Sequence, residues 1–252
     1  MPPSALSRRL KRLRVLLLLL APIAGSLQAA EQQLPHVVAA EQQQQHKRFT
    51  GTWALTDNAN NLFNVLLGAD GRAVSTSGVD GVPLGGSSQL RDTQLYEQGR
   101  WYPWGNGVRI DYSDGWSDAI FTGPAGTQQW SWAPGKSRLA SPSNQSKAVL
   151  LSGAMAEAVG VYRIQPAQVD RPVTTVSLMS NGLAFNSIDA RAGGTWRLDK
   201  SEVEINWSSG WLTRFEPKAQ GPLQVRIWEP GRRPPSPPSA IRPGLRLENA
   251  VP

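Results

Sequence analysis

Residues 101–116, WYPWGNGVRIDYSDGW, and residues 196–211, WRLDKSEVEINWSSGW, align at a constant offset of 95 with no gap. Further anchors keep the same order: Gly51-Thr-Trp53 with Gly160-Val-Tyr162, Leu67 to Gly71 with Leu178 to Gly182, and Trp132 to Gly135 with Trp228 to Gly231. A chain that writes one unit twice is constrained to a fold in which each copy is a structural unit. Repeat one runs over 50–135 and repeat two over 160–231. Repeat one is longer between Gly71 and Trp101, by 16 residues, and 78–88 within that insert reads as a loop. Residues 136–159 form a linker, of which 147–159 offers a short helix or an apolar cover strand. Residues 31–49 are Gln-rich, and 232–252 read as an extended, mobile Pro/Arg-rich tail.

Within each repeat the pattern is alternation, the period of a half-buried strand. Val108, Ile110 and Tyr112 alternate with Arg109, Asp111 and Ser113; Val203, Ile205 and Trp207 alternate with Glu204, Asn206 and Ser208. Asp70-Gly71, Asn181-Gly182 and Asn106-Gly107 read as tight hairpin turns. With 24 Gly and 20 Pro spread along the chain, the fold class is all-β. The expected architecture is two tandem, related antiparallel β-barrels or curved meanders, with six to eight strands in each. Four aromatic pairs common to both copies are expected in the core: Trp101 with Trp196, Trp116 with Trp211, Tyr112 with Trp207 and Trp132 with Trp228.

Charge and cysteine bound the chemistry. There are 26 Lys plus Arg against 19 Asp plus Glu, a net of +7. Arg8, Arg9, Lys11, Arg12 and Arg14 precede the apolar run Val15 to Ala21, and small residues follow near Ala29-Ala30. This is the pattern of a secretory signal over 1–30, too short in its apolar run to span a bilayer. Cleavage would leave 21 basic and 19 acidic residues, and 31–230 alone carry 17 and 18. The expected location is therefore periplasmic or secreted, with no nucleic-acid partner and no transmembrane span after cleavage. Zero Cys excludes disulfides, thiolate metal sites and a Cys nucleophile; two His, at 36 and 46, leave no basis for a His triad. No cofactor, metal site or catalytic residue is assigned.

Repeat one resembles the avidin and lipocalin type of small β-barrel. The residues that carry this are Thr50-Gly-Thr-Trp53, Gly68-Ala-Asp-Gly71, Ile120-Phe-Thr-Gly123 and Thr127-Gln-Gln-Trp130. The resemblance implies a barrel. It does not imply biotin, because 54–58, Ala-Leu-Thr-Asp-Asn, does not reproduce the polar ring that avidins use.

The second copy serves as an internal control for function. Tyr102 and Trp104 stand where repeat two has Arg197 and Asp199; Asp111, Asp114 and Asp118 stand opposite Asn206, Ser209 and Thr213; Trp130 stands opposite Arg226. A two-residue Asn106-Gly107 turn sets Trp104 opposite Arg109 and Tyr102 opposite Asp111, all four outward. Aromatic planes beside a carboxylate and a guanidinium suit a sugar ring; the plain alternative is cation–π and cross-strand packing. Asp118 is expected inward, either as a polar anchor inside a barrel or as a cap on backbone N–H groups. The candidate ligand-binding residues are thus Tyr102, Trp104, Arg109, Asp111, Asp118 and Trp130. A cavity lined by Trp116, Asp118 and Trp130 would point to an interior ligand instead.

The functional expectation is an exported, non-enzymatic binding module for a glycan or a small apolar ligand. The alternatives are a structural or assembly protein of the cell envelope and a glycosidase using Asp111, Asp114 and Asp118.

Overall fold

The computed structural model describes residues 41–76, 95–168, 170–188, 193–218 and 221–247. The expected signal segment 1–30, the insert loop 78–88 and the last five residues of the tail lie outside them. The chain divides into two units at His46. The second unit holds two antiparallel sheets, one closed and one nearly closed into a barrel.

In barrel one the strands are β1 (Gly51–Thr56), β2 (Leu62–Leu67), β3 (Arg72–Ser75), β4 (Glu97–Trp104), β5 (Gly107–Tyr112), β6 (Ser117–Gly123), β7 (Gly126–Trp132), β8 (Asn144–Lys147) and β9 (Val149–Leu150). Each pairs with its neighbour in sequence up to β8, and β9 returns to β1. β8 and β9 flank Ala148, so one run of chain pairs first with β7 and then with β1 and joins the two sheet edges.

Barrel two is a closed ring of β10 (Gly160–Ile164), β11 (Thr174–Leu178), β12 (Leu183–Asn186), β13 (Gly194–Asp199), β14 (Glu202–Trp207), β15 (Leu212–Phe215), β16 (Leu223–Trp228) and β17 (Ala240–Arg246). β17 is the main departure from the sequence reading, which placed it in a mobile tail. It pairs with β16 through Ala240–Gly244 and with β10 through Gly244–Arg246. Pro243 falls just before the β10 pairing begins, where its missing N–H is tolerated, and its carbonyl accepts from Gln165 N. The linker likewise contains structure: β8, β9 and helix α2 (Gly153–Ala158).

The two copies share devices that their sequences do not share as letters. Residues 41–49 are helical, here called α1. Phe49 at the end of α1 is 1% exposed and packs in the core of barrel one. The Trp53 indole donates to the Phe49 carbonyl at 2.8 Å. In barrel two the Tyr162 hydroxyl donates to the Ala158 carbonyl, at the end of α2, at 2.7 Å. Both bonds reach back four residues, so each barrel has a helix end seated where its first strand begins. The repeat therefore starts earlier than 50 and 160. Arg246 of β17 adds a brace in barrel two, donating to the carbonyls of Ala156 and Val159 at 3.1 and 2.5 Å.

The hairpin β2–β3 and its copy β11–β12 also agree. Each has four residues between its strands, the last a glycine in the left-handed region: Gly71 at φ +79° and Gly182 at φ +84°. The inward tryptophans hold these hairpins, Trp101 donating to Gly68 O at 2.9 Å and Trp196 to Met179 O at 2.8 Å.

Of the four expected core pairs, Trp101 and Trp196 are buried inside the barrels. Trp132 and Trp228 are buried on the outer face, under the loops whose carbonyls, Ala140 and Ser236, their indoles hold. Tyr112 is buried and Trp207 half-buried. Trp116 is half-buried and packs against the core of barrel one, whereas Trp211 is 40% exposed and stands at the mouth of barrel two instead of in its core.

The barrels touch side by side. Leu66 and Val74 meet Val161 and Leu247, and Leu95 meets Met179 and Phe185. Asn64, fully buried, donates to Ser180 Oγ at 3.0 Å and accepts from Ser180 N at 2.9 Å. Among the described residues no helix is long and apolar enough to cross a membrane.

Candidate functional site

The β4–β5 hairpin turns at Gly105-Asn106, with Gly105 at φ +55° as the first central residue of the turn. Tyr102 therefore faces Arg109, Trp104 faces Gly107 and Arg100 faces Asp111, a shift from the pairing read from sequence. The shift is an even one, so the outward face keeps its members. Tyr102 and Trp104 are 37% and 44% exposed.

The outward charges are already engaged with one another. Asp111 accepts from Tyr102 Oη at 2.5 Å, from Arg109 Nε and Nη2 at 2.9 and 2.8 Å, and from Arg138 Nη2 at 2.9 Å. The Arg109 guanidinium lies 5.5 Å from the Tyr102 ring centre. Burial and the Asp111 carboxylate push the Tyr102 phenol up to about 12. Trp130 stands on the same outer face, edge-on to Phe121 at 4.8 Å. Its pairing with Ala119 puts it on the face opposite Asp118, so the two do not line a common cavity.

Asp118 is inward and 4% exposed. It accepts from side chains and does not cap the hairpin backbone: Tyr112 Oη at 3.0 Å, Ser131 Oγ at 2.5 Å and Gln129 Nε2 at 3.2 Å. Gln129 Oε1 in turn accepts from Asn144 and Ser146 at 3.2 and 2.8 Å. Glu97, which the sequence reading missed, is buried beside this cluster and accepts from Asp114 N at 3.2 Å. Burial pushes Asp118 up to about 6 against the hydrogen bonds that favour its charge. Burial and the neighbouring Asp114 push Glu97 up to about 9. Barrel one is thus filled at this end by a hydrogen-bonded polar network.

The same end of barrel two is open. A cavity of about 410 Å³ is lined by Ile164, Val176, Trp207, Trp211, Thr213 and Ile227, with Thr174, Asn186, Ile188 and Ser209 also contributing. Ile164 ends β10 and Trp207 ends β14, so this mouth is opposite the end where α2 is seated. The counterparts explain the difference. Strand pairing sets Asp118 against Ser131 in barrel one and Thr213 against Ile227 in barrel two. Gln129, second before Ser131, becomes Val225, second before Ile227. The bond from Tyr112 to Asp118 becomes one from Trp207 Nε1 to Thr213 Oγ1, at 2.9 Å. Repeat two keeps the geometry and discards the polar filling. The signal was present in the sequence as this swap of Asp, Gln and Ser for Thr, Val and Ile.

A second cleft of about 1090 Å³ lies between the barrels, walled by β1, β2, α2 and β17. Among the described residues no group of three His, Asp or Glu side chains is placed to hold a metal ion. Comparison with protein-family models, with curated proteins and with solved structures finds no match.

Proposed function

We propose that the chain is an exported, non-enzymatic binding module whose ligand is a small apolar molecule held in the mouth of barrel two. The observation that carries this is the cavity walled by Trp207, Trp211, Ile164, Val176 and Ile227 at the end of a closed barrel. Its volume falls in the range of about 300–1,000 Å³ typical of small-molecule sites. Export is supported by the basic and apolar start of the chain. The resemblance of repeat one to avidin and lipocalin barrels is consistent with an interior ligand. A glycan on the outer face of barrel one is less well supported, because Asp111 and Arg109 already satisfy one another. The glycosidase alternative is weakened by placement: Asp111 is outside the barrel and Asp118 inside it.

The test is binding of the neutral, apolar fluorophore N-phenyl-1-naphthylamine to the full chain. Binding should be lost, by about tenfold or more, in Ile227→Trp, which fills the cavity, with the far-ultraviolet spectrum unchanged. Equal binding by this variant and by the parent would place the probe elsewhere. Hydrolysis of a glycan, abolished in Asp118→Asn, would overturn the non-enzymatic reading.

A further inference from the structure

The chemistry of the cavity wall narrows the ligand class, an inference that rests on barrel two being the binding site. Thr213 is 4% exposed and lines the cavity. An indole N–H can only donate, so in the 2.9 Å bond with Trp207 the Thr213 oxygen is the acceptor. The hydroxyl keeps its own proton to donate. Ile164, Val176 and Ile227 in the cavity wall carry no side-chain acceptor, and the polar wall residues Thr174, Asn186 and Ser209 accept no bond from the Thr213 hydroxyl. Among the described residues no Lys, Arg, Asp or Glu lines the cavity.

The first repeat shows what this position does when it is not open. There Asp118 accepts three hydrogen bonds, and Ser131 supplies one of them from the facing strand. In the second repeat the acceptor-only carboxylate has become a hydroxyl, and the facing serine has become Ile227. A saturated acceptor is replaced by a donor set in apolar surroundings. Buried donors in such surroundings are costly unless paired. We infer that barrel two takes an uncharged, largely apolar molecule that buries one oxygen acceptor, a carbonyl or ether, against the Thr213 hydroxyl. Carboxylates are disfavoured, because no cation among the described residues of the wall offsets the loss of their hydration.

Three probes of one shape test this by equilibrium dialysis against the full chain: 2-ethylnaphthalene, 2-acetylnaphthalene and 2-naphthoate at neutral pH. The quantity read is the affinity ratio of ketone to hydrocarbon, which removes their shared apolar contribution. That ratio should fall about threefold to tenfold in Thr213→Val and return in Thr213→Ser. On the unaltered chain 2-naphthoate should bind about tenfold or more weakly than the ketone. A ratio unchanged across both variants, or 2-naphthoate as the tightest probe, overturns the ligand class and leaves the cavity as a site. Failure of all three probes to bind overturns the site as well.

Discussion

A buried carboxyl and a buried hydroxyl occupy the same place in the two barrels, and the difference separates a filled barrel end from an open one. Asp118 is held in a network and has its charge disfavoured; Thr213 is held by one indole and faces space. The consequence for barrel one is a pH dependence of a particular sign. Unfolded, both Glu97 and Asp118 lose their protons near pH 4, as ordinary carboxyls do at about that value. Folded, Asp118 keeps its proton to about 6 and Glu97 to about 9. Between those limits the native chain binds more protons than the unfolded one, so these groups make stability fall as pH rises. The cost is absent below about pH 4, grows from both groups up to 6, and grows from Glu97 alone between 6 and 9. Glu97→Gln should therefore raise stability at pH 8 by about 2 kcal/mol and change it little at pH 4. Urea unfolding at the two pH values measures this, and an equal effect at both would contradict it. At this scale the sequence was legible where the two copies could be compared. Asp118 was read as inward from its alternation with Trp116 and Ile120. Glu97 was missed because its counterpart, Ala192, is not acidic and lies in a stretch with no matching anchor.

Elements were legible where alternation is strong and obscured where proline interrupts it. The hairpin of β4 and β5 reads directly from Val108, Ile110 and Tyr112. β17 does not, because Pro243-Gly244 breaks the pattern and the run Pro234-Pro-Ser-Pro-Pro238 precedes it. Closure of a barrel is a tertiary condition, and it recruits a strand of weak local preference because both of its edges find partners. The same holds for α2, six residues with no side-chain cap at Ser152, which is stabilised by burial of Ala158 and by Arg246 and not by its own propensity. A chain ended after Gly231 should therefore lose barrel two, since β10 and β16 would both be left as bare edges and α2 would lose its brace. Amide hydrogen exchange gives a direct reading in the full chain: residues 241, 242 and 244–246 should be protected to the level of β16. Exchange there at the rate of a free peptide would return the segment to a mobile tail.

At the scale of the whole molecule the duplication predicts two barrels but not how they meet. The clue is β2, Leu62-Phe-Asn-Val-Leu-Leu67, which is apolar on both faces. A strand of that kind must be covered on both sides. Val65 and Leu67 face the interior of barrel one, while Asn64 and Leu66 face barrel two. Asn64 is the polar centre of this contact, with its amide also donating to the Trp53 carbonyl at 3.3 Å. It ties the first strand of one barrel to the Ser180 turn of the other. Asn64→Ala deprives the half-buried Ser180 N–H and hydroxyl of this partner, a cost of about 1–3 kcal/mol. Leu66→Asp puts a charge into the apolar contact with Val161 and Leu247 and should cost more. The two changes differ from a core defect in their thermal signature. Calorimetry of the parent chain should show one transition, because neither barrel can open without exposing the face it shares. In Leu66→Asp the barrels should melt in two separated transitions, each keeping its own helix-seated core. A single transition shifted to lower temperature would mean that Leu66 supports barrel one alone. In that case the ligand cavity of barrel two would be insensitive to changes on β2, and N-phenyl-1-naphthylamine binding by Leu66→Asp would match the parent up to the melting temperature.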